Sequence, residues 1–178
     1  MHAGFDNRRA VRLYRDTVTA ENQFDDRFRQ GVWAGVSLVP SPTLRLGLDA
    51  RLSSGGPSGS AVVYTGSAII DPGLPMGSQI RARTTYYTSS TTSGWLVAGA
   101  YGFDPLFGLR LELNGGVRLE HPTAGAAAFV SPQTKVHWLG LDADVNLGRS
   151  WYLVLSATNT NGGAESSRAL YSSVSYRF

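Results

Sequence analysis

Apolar and polar residues alternate with a period of two along much of the chain. In residues 44–52, Leu or Ala occupies every even position and Arg, Gly or Asp every odd position. Residues 109–120 repeat the pattern, with Leu, Gly or Val at odd positions and charged residues, Asn or Gly at even ones. Because successive side chains of a strand point to opposite faces, this pattern predicts β-strands with one apolar and one polar face.

Eight further stretches extend the prediction to about ten strands. The two cleanest are 31–38 and 138–147. The others are less regular, and the first of them is the least regular; they lie near 8–16, 61–70, 79–88, 95–103, 151–159 and 170–178. The longest run of small apolar residues, 124–130, is far shorter than the roughly 20 residues of a transmembrane helix. We therefore expect one all-β domain over residues 1–178.

The connections between the predicted strands alternate in length. The short ones fall at 40–42, 71–77, 104–107 and 148–150. The longer ones are polar or rich in small residues and fall at 18–27, 53–59, 89–94, 121–133 and 159–166. Successive connections of an up-and-down sheet lie at opposite ends of the strands, so the alternation predicts such a sheet with every long connection at one end.

The chain ends on an aromatic residue that continues an alternating row. Stepping back by two from Phe178 gives Tyr176, Val174, Ser172 and Leu170. This row resembles the last strand of the β-barrels of Gram-negative outer membranes. The resemblance implies an antiparallel up-and-down transmembrane β-barrel in the bacterial outer membrane, with short periplasmic turns and longer outer loops. It also implies that Phe178, Tyr176 and Val174 form an insertion signal recognised by the barrel-assembly machinery.

In such a barrel the apolar rows face lipid. Hydrocarbon offers no hydrogen bonds to the backbone, so a sheet crosses it only when closed on itself. The outer surface would contact outer-membrane lipid and lipopolysaccharide. The complementary row would line the lumen and consists of Arg45, Asp49, Arg51, Arg81, Arg83, Arg110, Glu112, Arg118, Glu120, Asp142 and Asp144. Because these charges nearly cancel and ten strands enclose a narrow interior, we expect a largely filled lumen of paired charges.

A soluble antiparallel sandwich would show the same alternation, with the leucines inward. The terminal Phe and the alternating connections favour the barrel. The aromatic residues favour it as well, because they would form two interfacial girdles. We expect one girdle at the periplasmic rim, from Phe103, Phe107, Trp151, Tyr152, Tyr176 and Phe178, and one at the outer rim, from Phe28, Tyr86, Tyr87, Trp95 and Tyr171.

Composition and motifs argue against several other functions. The chain has no Cys, so it has neither disulfides nor thiolate metal ligands. Its 15 Arg are spread singly, which makes a nucleic-acid partner unexpected.

The sequence from Asp142 to Asn146 matches the start of a calcium-binding EF-hand loop, but Leu147 stands where that loop needs Gly. The acidic stretch with Glu21, Asn22, Asp25 and Asp26 is interpreted as a solvated loop tip rather than a cation site. We predict no metal and no cofactor.

Catalysis is also unexpected. Lipid-modifying barrel enzymes, which this architecture resembles, use a His partnered by Ser or Asp near the outer end of the barrel. His121 begins an outer connection and His137 has the parity of the lipid-facing row. Neither lies in a serine motif of those families. A lipid-modifying hydrolase is therefore the weakest of the functional alternatives.

The first predicted strand leaves a second possibility open. Arg8, Arg9, Arg12 and Arg15 place an arginine near the end of whichever face meets lipid. Either these arginines lie at the rims and ten strands close alone, or the chain is the C-terminal part of a larger export barrel, such as a polysaccharide exporter, with a periplasmic partner domain. The beginning of the chain also lacks the apolar stretch of a secretory signal. The main prediction is an outer-membrane barrel with a structural or passive transport function.

Overall fold

Ten antiparallel strands in a single sheet make up the computed structural model. It describes residues 1–7, 30–56, 59–73, 76–90, 92–123, 134–148, 150–162 and 165–176. The strands are β1 (His2–Asn7), β2 (Gln30–Ser41), β3 (Leu44–Gly56), β4 (Gly59–Ile70), β5 (Gln79–Ser89), β6 (Thr92–Leu106), β7 (Leu109–Pro122), β8 (Thr134–Asn146), β9 (Trp151–Gly162) and β10 (Glu165–Tyr176).

Each strand pairs with the next one along the chain, in the order β1 to β10. The all-β class and the up-and-down order predicted from the sequence are therefore confirmed. Nine of the predicted strands coincide with β2 to β10. The strand predicted near 8–16 lies outside the described residues. Among those residues no helix is long and apolar enough to cross a membrane.

Strand β1 was not predicted. Its alternation is poor, because His2, Gly4 and Asp6 alternate with Ala3, Phe5 and Asn7 and neither set is consistently apolar. It pairs with residues 30–35 of β2 only, from His2 opposite Gly35 to Asn7 opposite Gln30. The tertiary pairing with β2, rather than its own sequence pattern, selects this segment as a strand.

The sheet is not closed, which corrects the closed barrel expected from the resemblance. Within the described part of the chain, β1 pairs only with β2 and β10 only with β9. Alternation predicts which residues share a face, because that is a local property of each strand. It carries no information on whether the first strand meets the last.

The predicted contrast in connection length is wrong at three places. Strands β3 and β4, bounded by Gly56 and Gly59, take up most of the predicted loop at 53–59. The predicted loops at 89–94 and 159–166 are also mostly strand, since β6 begins at Thr92 and β10 at Glu165. Pairing uses backbone groups, so Gly, Ser and Thr continue a ladder whose partner is already in place.

At the opposite end, the short connections predicted at 40–42, 104–107 and 148–150 correspond to tight turns, whereas residues 71–78 separate β4 from β5. Gly108 in the β6–β7 turn has φ 80°, and Gly148 in the β8–β9 turn has φ 91°. A side chain is strained at such positive φ values, whereas glycine is not. The backbone N–H of Asn146 donates to the carbonyl of Gly108 over 2.6 Å, which ties the two neighbouring turns together.

The cross-strand register sorts the side chains onto two faces. We call the face with Arg51, Arg81 and Arg118 the polar face and the opposite one, with Leu48 and Leu141, the leucine face. Buried residues of the described strands all lie on the polar face. They include a cluster of Tyr87, Leu96, Val136 and Trp138, with Val63 and Ala98 packed against it.

Glycines on the polar face make room for its large side chains. A Cβ at Gly116 of β7 would lie 2.5 Å from Cη2 of Trp138, which crosses over this position from β8. It would also collide with the carbonyl oxygen of Val97. At Gly94 of β6 a Cβ would collide with the hydroxyl of Tyr87 from β5. Large residues on one strand therefore pack over glycines on the next.

Gly116→Ala tests this packing. The new methyl group must displace Trp138 or the Val97 backbone, so we expect a loss of about 1–3 kcal/mol in the free energy of unfolding. Gly99→Ala is the matched control, since its nearest neighbour would be the Arg81 carbonyl oxygen at an ordinary 3.7 Å. It should change stability by less than about 1 kcal/mol. Denaturant unfolding followed by tryptophan fluorescence measures both; equal losses would contradict the packing described.

Candidate functional site

The polar face is the candidate site. All eleven residues predicted to line a lumen lie on it, because the register places them on one side of β3, β5, β7 and β8. For example, Arg110 lies opposite Asp144 and Glu112 opposite Asp142. The prediction of which residues share a face therefore agrees with the register throughout.

Two arginines of this face pair with carboxylates across small residues or turns. The guanidinium of Arg81 on β5 donates to the carboxylate of Glu112 on β7. It passes over β6, whose residues on this face between them are Ala100 and Gly102. Arg110 donates from Nη1 to Oδ1 of Asp104 over 3.3 Å near the β6–β7 turn. The sequence prediction did not include Asp104.

Arg118 forms the most buried part of the site. It is 1% exposed, and its Nη2 lies 3.7 Å from a carboxylate oxygen of Glu120 on the same strand. The other oxygen of Glu120 accepts a hydrogen bond of 2.6 Å from the hydroxyl of Tyr87. Burial of an arginine is costly unless its charge is compensated, and Glu120 contributes to that compensation.

Two further acidic residues have neutral or histidine partners. The side-chain amide of Asn114 donates to Asp142 over 2.5 Å, and Gly140 leaves the space that Asn114 needs. Nε2 of His2 lies 3.0 Å from Oδ1 of Asp49. The His2 ring also packs on Trp33, with ring centroids 5.3 Å apart. The contact with Asp49 crosses β2 and connects β1 to β3.

The charge network is therefore only partly the paired one expected from the sequence. Arg83 donates from Nε to the hydroxyl of Thr85 over 3.3 Å. Arg51 also makes side-chain interactions. Within the ranges that the structure describes, Arg45 and Asp144 take part in no ion pair. Both lie toward the end of the sheet with the tight turns, where water can solvate them.

A cavity of about 500 Å³ lies on this face. Its walls include Arg81, Arg83, Glu112, Asp142, Ser156 and Trp138. Both signs of charge, a serine hydroxyl and one indole ring meet there. Such a lining suits water or a small polar molecule, and it lacks the single sign of charge that would select one kind of ion.

The histidines considered for catalysis lie on the other face. His137 on β8 is opposite Asn161, and His121 on β7 is opposite Ser93. Both positions belong to the leucine face and point away from the carboxylates of the polar face. No group of three His, Cys, Asp or Glu side chains with metal-binding geometry occurs among the described residues. The acidic stretch at 21–26 and Phe178 are not among them.

Aromatic residues divide between the faces. On the leucine face, Tyr86 packs with Trp95 near the end opposite the tight turns, with ring centroids 5.0 Å apart. Near the tight turns, Trp151 packs with Tyr176 at 4.9 Å. Tyr101 stacks on Phe103 at 5.5 Å on this face as well. The register places Tyr87, Tyr152 and Tyr171 on the polar face instead, so their assignment to girdles is wrong.

Sequence reasoning placed Trp138 on the polar row together with Asp142 and Asp144, but missed Tyr87 as a central residue of the site. Only the spacing of glycines could have indicated Tyr87, because a glycine on a polar row is a place where a neighbour's large side chain can pack. Which neighbour does so depends on the register. That information is not present in a single strand.

No protein-family model matches the chain, and no curated protein sequence matches it significantly. Function is therefore argued from the geometry of the two faces.

Glu120→Ala tests the buried charge of Arg118. Removing the carboxylate takes away one charged partner of a guanidinium that is 1% exposed and the acceptor of the Tyr87 hydroxyl. We expect the free energy of unfolding to fall by about 2 kcal/mol or more. Asp144→Ala, which removes the same charge from a position outside any ion pair of the described residues, should cost less than about 1 kcal/mol. A similar loss in both variants, measured by chemical denaturation, would show that the burial of Arg118 is not the cause.

Proposed function

We propose that the protein is a transmembrane β-barrel of the bacterial outer membrane, with a structural or passive transport function and a polar, largely filled interior. The single observation that carries this proposal is the leucine face. Its large apolar side chains are exposed along the sheet from β2 to β10, at Val32, Leu38, Leu46, Leu48, Leu52, Val97, Leu113, Leu139, Leu141, Leu155, Leu170 and Val174.

Water is a poor environment for this face. Leu48 is 61% and Leu170 86% exposed, and burying one such side chain is worth about 1.5–3 kcal/mol. Monomeric soluble proteins rarely expose continuous apolar patches beyond a few hundred Å². A soluble sandwich would bury the leucines and expose the arginines, whereas here Arg118 is buried and the leucines are exposed. Lipid is the surrounding that suits this arrangement.

The aromatic pairs of the leucine face support the same conclusion. Tyr86 with Trp95 and Trp151 with Tyr176 lie toward opposite ends of the strands. Tyr and Trp favour the membrane–water boundary because one part of the side chain is apolar and another forms hydrogen bonds. Two such groups, separated by leucines, fit the two boundaries of one bilayer.

Insertion requires the sheet to close with the polar face inward, because an unpaired strand edge is not tolerated in hydrocarbon. Strand β10 has twelve residues along its free edge, and β1 has six. The free edges of β1 and β10 would be satisfied either by pairing with each other or by further strands of a larger export protein, which is the second candidate.

The polar face indicates what the interior does. Its contacts between charged groups connect β5 with β7, β6 with β7 and β1 with β3, and its cavity of about 500 Å³ is lined by both signs of charge. Such an interior stabilises a closed barrel and leaves little room for a continuous channel.

We propose that outer-membrane lipid, lipopolysaccharide and the barrel-assembly machinery are the partners, and that no cofactor is used. An enzymatic function has no support from the histidines.

A pair of arginine substitutions at mid-strand tests which face meets lipid. Leu141→Arg on the leucine face should lower the free energy of unfolding from vesicles by about 2–4 kcal/mol, the cost of arginine near the middle of a bilayer. Ser156→Arg is the matched control, since Ser156 lines the cavity on the polar face next to Asp142. It should cost less than about 1 kcal/mol. Equal costs, or a folded monomer that stays in solution without detergent, would exclude the membrane proposal.

Conductance tests the filled interior. In planar lipid bilayers the unmodified protein should show at most small and rare openings, because Trp138 and the ion pairs occupy the polar face. Trp138→Ala should increase conductance, since it removes the indole ring that crosses over Gly116. Trp95→Ala, which removes an exposed indole from the leucine face, should leave conductance unchanged. Large, stable channels from the unmodified chain would favour an open pore instead.

A further inference from the structure

The leucine face carries an uneven distribution of charge. Among the described side chains of the strands, this face includes no Asp or Glu, and Lys135 and Arg168 are its only Lys or Arg. The other described Lys, Arg, Asp and Glu side chains of the strands face the other way. Lys135 and Arg168 lie on β8 and β10, two strands apart, near the ends opposite the tight turns.

The register defines their surroundings. Arg168, Asn159 and Leu139 form one row across β10, β9 and β8. His137 is two residues from Leu139, opposite Asn161, and Lys135 is two residues farther. With strands about 4.8 Å apart and about 3.3 Å per residue, the α-carbons of Arg168 and His137 are roughly 12 Å apart and those of Arg168 and Lys135 roughly 16 Å. Both cations have long side chains on the same face, so they can approach one headgroup from opposite sides, and we call this area the basic patch.

The cations of the basic patch are available to a ligand. Lys135 and Arg168 are exposed. Neither forms an ion pair or side-chain hydrogen bond with any residue in the described ranges. An anion beside them would therefore displace no partner among the described residues.

An apolar groove leads away from the basic patch. It has a volume of about 390 Å³. Arg168 and Asn159 stand at one end, and its walls are Leu113, Leu139, Leu141 and Leu170. A groove of this kind suits a hydrocarbon chain, since it offers apolar contact along its length and hydrogen-bond donors only at the end near Arg168.

We infer that this patch and groove bind an anionic lipid, with a headgroup phosphate at Arg168 and Lys135 and an acyl chain between Leu139 and Leu170. Phosphate is the favoured group, because guanidinium and ammonium donors both match its oxygens. The patch lies on the face proposed to meet lipid, so the ligand approaches from within the bilayer. The inference rests on the proposed membrane location and adds to it a specific site on the outside of the sheet.

The experiment uses the full chain refolded in detergent micelles and native mass spectrometry. The probe is lipid A carrying its phosphates, with phosphate-free lipid A and phosphatidylcholine for comparison. Arg168→Gln and Lys135→Gln should each weaken lipid A binding about fivefold, and the double variant about twentyfold. These factors follow from the usual contribution of one surface cation to the free energy of binding to anionic lipid. Arg45→Gln is the matched control, since it removes an equal charge from the polar face. It should bind lipid A as the unmodified protein does.

The groove and the phosphate are tested separately. Leu170→Ser should weaken lipid A binding while leaving the preference for phosphorylated over phosphate-free lipid A intact. Displacement of lipid A by millimolar inorganic phosphate would show a simple anion site and overturn the lipid assignment. Equal binding to all three lipids, or equal effects of Arg45→Gln and Arg168→Gln, would also overturn it.

Failure of the proposed membrane location gives a different result from failure of the lipid site. Protection from added protease in phosphatidylcholine vesicles reports insertion independently of lipid A. A protein that inserts but shows no preference for lipid A retains the membrane proposal and loses the lipid site. A protein that does not insert loses both.

Discussion

Cross-strand register is the constraint on which the rest of the structure depends. The side chains of a strand alternate between faces, so a slip of one residue in any strand would move its whole apolar row to the other face. Arg118 is opposite Val136 and Gly116 is opposite Trp138, and both pairings need the present alignment of β7 with β8. A slip of β8 by one residue would move Trp138 to the leucine face and Leu139 to the polar face. One alignment thus produces both the buried charges and the exposed apolar face.

The polar face keeps this register because its side chains interlock. Trp138 lies over Gly116, and Tyr87 lies over Gly94 and reaches Glu120. These contacts involve four successive strands, β5 to β8, so several pairings must be correct together. The ion pair across β6 adds a further connection between β5 and β7. Polar interactions of this kind contribute little net stability in water, but their geometry excludes alternative alignments.

The sequence predicts the faces better than the edges. Rows such as 44–52 and 109–120 alternate so regularly that strand, face and charge row follow from local pattern alone. Connection lengths were less predictable, because Thr92 and Glu165 enter strands through backbone pairing that does not depend on their side chains. Strand β1 and the open sheet were missed for a related reason. Both depend on which distant segments pair. The alternation of apolar and polar residues within one strand does not indicate which strand is its neighbour.

The central pairs of the polar face were only partly predictable from the sequence. Arg118 and Glu120 were predicted to share a face, but Tyr87 was placed at a membrane boundary although it has the parity of Arg81 and Arg83. Sequence reasoning treats aromatic residues near strand ends as boundary residues. The register overrides this for Tyr87, since it continues the row of Arg81 and Arg83. Parity along a strand is therefore a stronger guide than residue type.

The free edge and the basic patch meet on the same strand. Arg168 belongs to β10, which is held on one side by β9 and has no partner on the other within the described strands. A strand with one partner is less rigid than a strand with two, because half of its backbone groups lack fixed hydrogen bonds. Whatever closes the sheet along β10 therefore also fixes Arg168 and Leu170 relative to Leu139. The proposed closure of the sheet and the proposed binding at its outer surface would therefore both depend on the free edge of β10.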